Sequence, residues 1–215
     1  MEILSSLIDI VLHLDHHVSA LLADYHTWFY GILFAVIFAE TGFVVTPFLP
    51  GDSLLFAVGA LTAIDDSGTL HLPVLLVMLV AAAVLGNTLN YQIGRWIGVH
   101  GFSGRYRLLK VDYLRRTESF FQRHGGMAVV LSRFVPIVRT FAPFVAGVGR
   151  MSWARFQGYN IAGGASWVVL MTVAGFLFGN VPLVKNNFGL VTIAIILLSL
   201  LPLVWVVWRD RRAAD

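Results

Sequence analysis

The chain has 215 residues, of which 58% are apolar and only 13% charged, against about 25% charged in soluble proteins. That balance excludes an ordinary soluble domain and selects an all-α integral membrane protein. There is no cysteine, so disulfides, thiol catalysis and Cys-based metal sites are excluded as well.

The net charge of +3 matters less than where the charges fall, because no Lys or Arg precedes Arg95. A cleavable signal peptide, with its positive leading region, is therefore not expected. Residues 1–24 instead alternate Ile3, Leu4, Leu7, Ile8, Val11 and Leu12 with Glu2, Asp9 and His13 at helical spacing. They are expected to form an amphipathic helix at the membrane surface or against the bundle. His13, His16 and His17 read as polar-face residues, so no metal or other cofactor is called for.

Trp28 to Val45 is apolar apart from Glu40 and is the first span expected. Residues 46–66 follow, with a Pro47, Pro50, Gly51 break, then Asp52 and a helical part over 53–63. That part is too short to cross, so a re-entrant hairpin is expected. Leu72 to Gly98 is long enough to span with tilt. Its second half is polar for a span, with Asn87, Tyr91 and Arg95 as supporting polar residues, and Gly94 and Gly98 form a small-residue packing face.

Seven of the fifteen basic residues lie in 95–123, where residues 112–124 read as an interfacial helix. The stretch 127–149 is apolar, yet it carries Arg133, Arg139, Pro136 and Pro143. A charge at the bilayer centre costs about 2.5–3.5 kcal/mol, and proline interrupts a helix. A second re-entrant hairpin is expected there, with the prolines marking its breaks. Phe156–Phe178 and Phe188–Trp208 are the remaining spans.

Basic segments face the cytoplasm, which puts both termini inside, with four spans and two hairpins entering from opposite faces. The whole chain, 1–215, then reads as one membrane domain with an inverted repeat of hairpin plus span. Gly59 follows Pro47 by twelve residues and Gly147 follows Pro136 by eleven, while Gly94 and Gly98 correspond to Gly175 and Gly179. Inverted repeats with broken helices are a transporter architecture.

Four ionisable residues occupy apolar surroundings: Glu40, Asp52, Arg133 and Arg139. They could lock the hairpins as ion pairs, or they could bind and carry. Function is the default for such residues in a membrane. Arginine presents a planar fork suited to phosphate oxygens, and a carboxylate in a low-dielectric site can trade protons. This inventory suits a proton-coupled site for an anionic substrate, with Glu40 and Asp52 as proton carriers and Arg133 and Arg139 as phosphate ligands.

Four motifs point to a family: Phe38-Ala-Glu-Thr-Gly42, Pro47-Phe-Leu-Pro-Gly-Asp-Ser-Leu-Leu55, Gly86-Asn-Thr-Leu-Asn-Tyr-Gln-Ile-Gly-Arg95 and Arg133-Phe-Val-Pro-Ile-Val-Arg-Thr-Phe-Ala-Pro-Phe-Val-Ala-Gly147. Together they resemble the DedA family of bacterial inner-membrane proteins, which shares the VTT domain with eukaryotic lipid scramblases and Golgi SNARE-associated proteins. The resemblance covers the whole chain. It implies proton-motive-force-dependent translocation of undecaprenyl phosphate or phosphatidylethanolamine in support of envelope integrity. The family's essential acids fall on Glu40 and Asp52, and its essential arginines on Arg133 and Arg139. Asn87 departs from the acid often found at that position.

The leading expectation is a lipid flippase rather than an enzyme, with membrane lipids and protons as partners, no nucleic acid, and a homo-oligomer allowed. Three alternatives stay open: a lipid phosphatase using Ser53 or Ser132, a non-transporting assembly factor, and an ion antiporter.

Overall fold

The computed structural model describes residues 28–43, 51–65, 68–101, 125–134 and 136–179, together with 181, 182, 191 and 194. Among them are six principal helices and no strand: α1 (Trp28–Gly42), α2 (Gly51–Ile64), α3 (Leu72–Gly101), α4 (Met127–Ser132), α5 (Pro136–Val148) and α6 (Trp153–Phe178). The amphipathic start over 1–24, Pro47, Pro50, the interfacial helix over 112–124 and, apart from residues 191 and 194, the last span over 188–208 lie outside the described residues.

Among the described residues, two helices are long and apolar enough to cross a membrane, Leu72–Gly98 within α3 and all of α6. Both expose large apolar side chains, among them Val77, Leu85 and Trp96 on α3 and Leu170 and Leu177 on α6. The first expected span is shorter than its apolar run. The helix α1 stops at Gly42 after 15 residues, about 22 Å at 1.5 Å per residue, against a hydrocarbon core of about 30 Å. In α2, residues from Gly51 to Leu61 are buried all round, which marks a helix enclosed by protein.

The segment 127–149 is two helices with a break between them. Arg133 closes α4 with its N–H on the Val130 carbonyl at 3.2 Å. Pro136 then opens α5, where a missing N–H costs nothing and its fixed φ suits the first turn. The break expected at Pro143 is absent. Pro143 sits inside α5; it removes only the backbone bond to the Arg139 carbonyl, and the helix continues beyond it. The chain turns into α6 through Arg150, whose φ of 51° is the left-handed conformation that ends many helices.

The described parts fall into two compact units, one from residues 1–33, 50–78 and 168–215 and the other from 34–49 and 79–167. In the first unit, α2 packs on the C-terminal half of α6. A Cβ at Gly175 would overlap the Phe56 carbonyl, one at Gly59 the Thr172 carbonyl, and one at Gly179 would meet Ala60. Within the second unit α5 packs on α3 in the same pattern. A Cβ at Gly94 would overlap the Phe144 carbonyl, one at Gly147 the Tyr91 carbonyl, and one at Gly98 would reach the Val148 Cα at 3.0 Å. Backbones this close require glycine at the contact. The sequence correspondence of Gly59 with Gly147, and of Gly94 and Gly98 with Gly175 and Gly179, is thus matched contact by contact.

Elsewhere in the first unit, the Tyr30 hydroxyl donates to the Thr69 carbonyl at 3.0 Å and accepts from the His71 N–H at 2.9 Å. Asp65 accepts from the Leu70 N–H at 2.8 Å. These bonds tie the start of α1 to the loop that leads into α3.

Candidate functional site

The second unit gathers polar side chains into its interior. Glu40 comes from α1, Asn87 and Asn90 from α3, Arg133 from the α4–α5 break, Arg139 from α5, and Asn160 and Trp167 from α6. All seven are buried.

Asn90 sets the frame. Its Nδ2 donates to the Thr140 carbonyl at 2.8 Å and to the Thr41 carbonyl at 3.3 Å. Those carbonyls belong to the residues directly after Arg139 and Glu40. One amide on α3 therefore fixes the register of α1 and α5 beside the two charges. Gly42 and Gly86 assist: an added Cβ at Gly86 would strike Thr41 Oγ1. Arg139 Nη2 then donates to Glu40 Oε1 in a buried ion pair.

Arg133 is held differently. Its Nη2 donates to Asn160 Oδ1 at 3.1 Å and to the Ala83 carbonyl at 3.4 Å. The amide end of Asn87 lies between Arg133 and Asn160. With oxygen toward the guanidinium it accepts from Arg133 Nε at 3.1 Å; with nitrogen there it would donate to Asn160 Oδ1 at 2.9 Å. The cation favours the first arrangement, because a charge-assisted hydrogen bond is roughly twice as strong as a neutral one. Asn160 is itself fixed, since its Nδ2 donates to the Val84 carbonyl at 3.0 Å and to Gln157 Oε1 at 3.2 Å. The remaining terminal nitrogen, Arg133 Nη1, is buried with no hydrogen-bond partner among the described residues.

Both guanidinium groups meet the ring of Trp167. The Cζ of Arg139 is 5.1 Å from the ring centroid and that of Arg133 is 5.7 Å. Both distances are within the range of cation–π attraction. The indole thus lets two like charges share one apolar interior.

Tyr91 and Arg95 meet each other within the second unit. The Tyr91 hydroxyl donates to the Met151 carbonyl, its ring stacks on Phe156 at 4.2 Å, and Arg95 Nη1 donates to it at 3.3 Å. Tyr91 is therefore a packing anchor of α3 on the α5–α6 turn. Asp52 belongs to the first unit, where it is buried in the first turn of α2, a position that suits a carboxylate. By residue type either Glu40 or Asp52 could pair with the arginines; in the second unit Glu40 engages Arg139, while amides hold Arg133. Trp167 and Asn160 join the cluster without belonging to any of the four motifs. An asparagine inside an apolar span was the available signal for the latter. Nothing marked this tryptophan among six.

Residues 49–177 match the family model described as the VTT domain. The chain belongs to the DedA family. It is 47% identical to Protein DedA of Escherichia coli K12 over 100% of this chain and 98% of that protein. It is 42% identical to an uncharacterized membrane protein of Mycobacterium tuberculosis H37Rv, over 86% of this chain and 82% of the relative. The inner membrane protein YghB of Salmonella typhimurium is 38% identical, over 83% and 82%. No solved structure matches the chain. The family model spans every member of the DedA cluster described above except Glu40, which precedes it.

Proposed function

We propose that this DedA-family protein is a proton-motive-force-dependent flippase of a phosphate-bearing lipid, undecaprenyl phosphate or phosphatidylethanolamine, in the bacterial inner membrane. In this reading α2 and the α4–α5 pair are the two re-entrant hairpins. The chain has four spans, an inverted repeat and both termini in the cytoplasm. Arg133 and Arg139 take the phosphate, while Glu40 and Asp52 carry protons.

The observation that carries the proposal is the interior pair of guanidinium groups over Trp167, one on a carboxylate and the other on amides with a buried donor left over. A buried ion pair is a poor device for stability, because desolvation consumes much of the Coulomb gain. An anion that shares the guanidinium groups would release the carboxylate to accept a proton, which couples the two. The recurring glycine contacts in both units support a repeat that moves as two similar parts. The name of the YghB relative supports the inner-membrane location.

Of the two serines the phosphatase alternative needs, Ser132 Oγ donates to its own helix at the Val129 carbonyl, 2.8 Å away, while Ser53 Oγ is buried without a hydrogen-bond partner among the described residues. A non-transporting assembly factor stays the second reading. Reconstitution of the purified chain with labelled undecaprenyl phosphate and labelled phosphatidylethanolamine, with and without a pH gradient, tests the proposal. Gradient-dependent movement of one of them is expected. No movement of either, by protein that is folded and inserted, rejects the flippase; release of inorganic phosphate selects the phosphatase.

A further inference from the structure

The two arginines differ in what holds them, and that difference has a functional meaning. Arg139 is joined to a carboxylate. The contacts of Arg133 are the amides of Asn87 and Asn160, the Ala83 carbonyl and the Trp167 face. The charges that act on it are those of Arg139 and Glu40. Among the described residues, the groups it meets on α3 and α6 do not titrate.

We propose that Asn87 and Asn160 are positioning residues that form an uncharged cradle for Arg133, aiming its Nη1 edge, without a hydrogen-bond partner among the described residues, at a ligand oxyanion and keeping its positive charge available to that ligand. The inference rests on the anion-binding reading above and divides its labour. Arg133 captures the anion, and the proton-responsive carboxylate answers to Arg139.

The cradle follows from orientation and charge together. The Nδ2 bonds of Asn160 to Val84 and Gln157 leave its Oδ1 facing Arg133. Asn87 closes on Nε from the side. Two edges of the guanidinium are thereby occupied by neutral acceptors, and the third, Nη1, is buried with no hydrogen-bond partner among the described residues. A carboxylate in place of either amide would keep the shape and take the charge. In a low-dielectric interior such a pair would hold Arg133 strongly and repel an incoming anion. An amide satisfies the donors and leaves the charge in place.

The test uses the full chain in nanodiscs and two probes whose charge is constant between about pH 5 and pH 8: inorganic sulfate and a methyl-capped isoprenyl phosphate. Tighter capture of the capped lipid marks a headgroup site and capture of sulfate alone marks a free-anion site; the cradle is expected to act on whichever is bound. Asn87→Asp is expected to bind at least about tenfold more weakly than wild type at pH 8. The deficit is expected to persist between about pH 5 and pH 8, because an Asp carboxyl, ordinarily at about 3.9, is ionised throughout that range beside a guanidinium; Asn87→Leu, of similar volume and no charge, is expected to lose less. Asn160→Asp, set against Asn160→Leu, is expected to show the same contrast and carries the test if Asn87→Asp does not fold.

Wild-type affinity at pH 8 in the Asp variants, or an equal deficit in the Leu variants, overturns the cradle while leaving the anion site standing. A wild-type protein that binds neither probe at any pH overturns both.

Discussion

Arg139 and Glu40 are 99 residues apart in sequence and meet as a buried ion pair, aligned by Asn90, which donates to the carbonyl following each of them. The acid stands near the end of α1, the base in the first turns of α5, and α3 carries the residue that sets their register. Such a pair is costly to break from one side. Glu40→Gln or Arg139→Gln should therefore lower stability by about 3 kcal/mol. The double substitution should cost less than the sum of the two, with a coupling of about 0.5–3 kcal/mol. Thermal unfolding of the purified protein in detergent measures both quantities.

Arg139→Lys keeps the charge beside Glu40 but loses the planar group that faces Trp167. It should insert and fold, yet lose at least about tenfold in lipid translocation, or about 1.4 kcal/mol of barrier. Rates in proteoliposomes at matched protein density provide the measurement. Translocation at the wild-type rate would show that charge alone is needed.

Trp167 serves two cations, so its loss should exceed that of one contact. A desolvated cation–π contact contributes about 2 kcal/mol. Trp167→Leu should therefore destabilise the second unit by more than Trp167→Phe, which keeps a ring face. Hydrogen exchange followed over α5 and α6 would locate the loosening within that unit.

Glycine positions divide by what surrounds them. Gly94→Leu and Gly175→Leu each drive a side chain into a facing carbonyl and should cost several-fold in folded yield, the one through α5 on α3 and the other through α2 on α6. Gly158 has nothing within 4 Å of an added Cβ. Gly158→Ala should stabilise α6 by up to about 1 kcal/mol, the usual helix propensity gain. Melting temperatures of the three variants against wild type give the comparison.

The membrane character of the chain, its long apolar helices and the pairing of its glycine motifs were legible in the residues alone. These features are local. Apolar length, proline and glycine act within one or two turns, and a charge in an apolar run is conspicuous wherever the run packs. Sequence also singled out Glu40, Arg133 and Arg139, because the cost of burying a charge marks such residues without reference to their partners. Which acid meets which base was settled only by tertiary structure. Glu40 went to Arg139 because Asn90 aligns α1 with α5, and Arg133 went to Asn87 and Asn160 because the α4–α5 break delivers it between α3 and α6. Pro143 likewise reads as a break in isolation, and becomes an interior residue of α5 because packing on α3 through Gly94, Gly98 and Gly147 holds the helix across the missing bond. Partner choice depends on contacts many tens of residues apart, and no residue pattern within one segment encodes it.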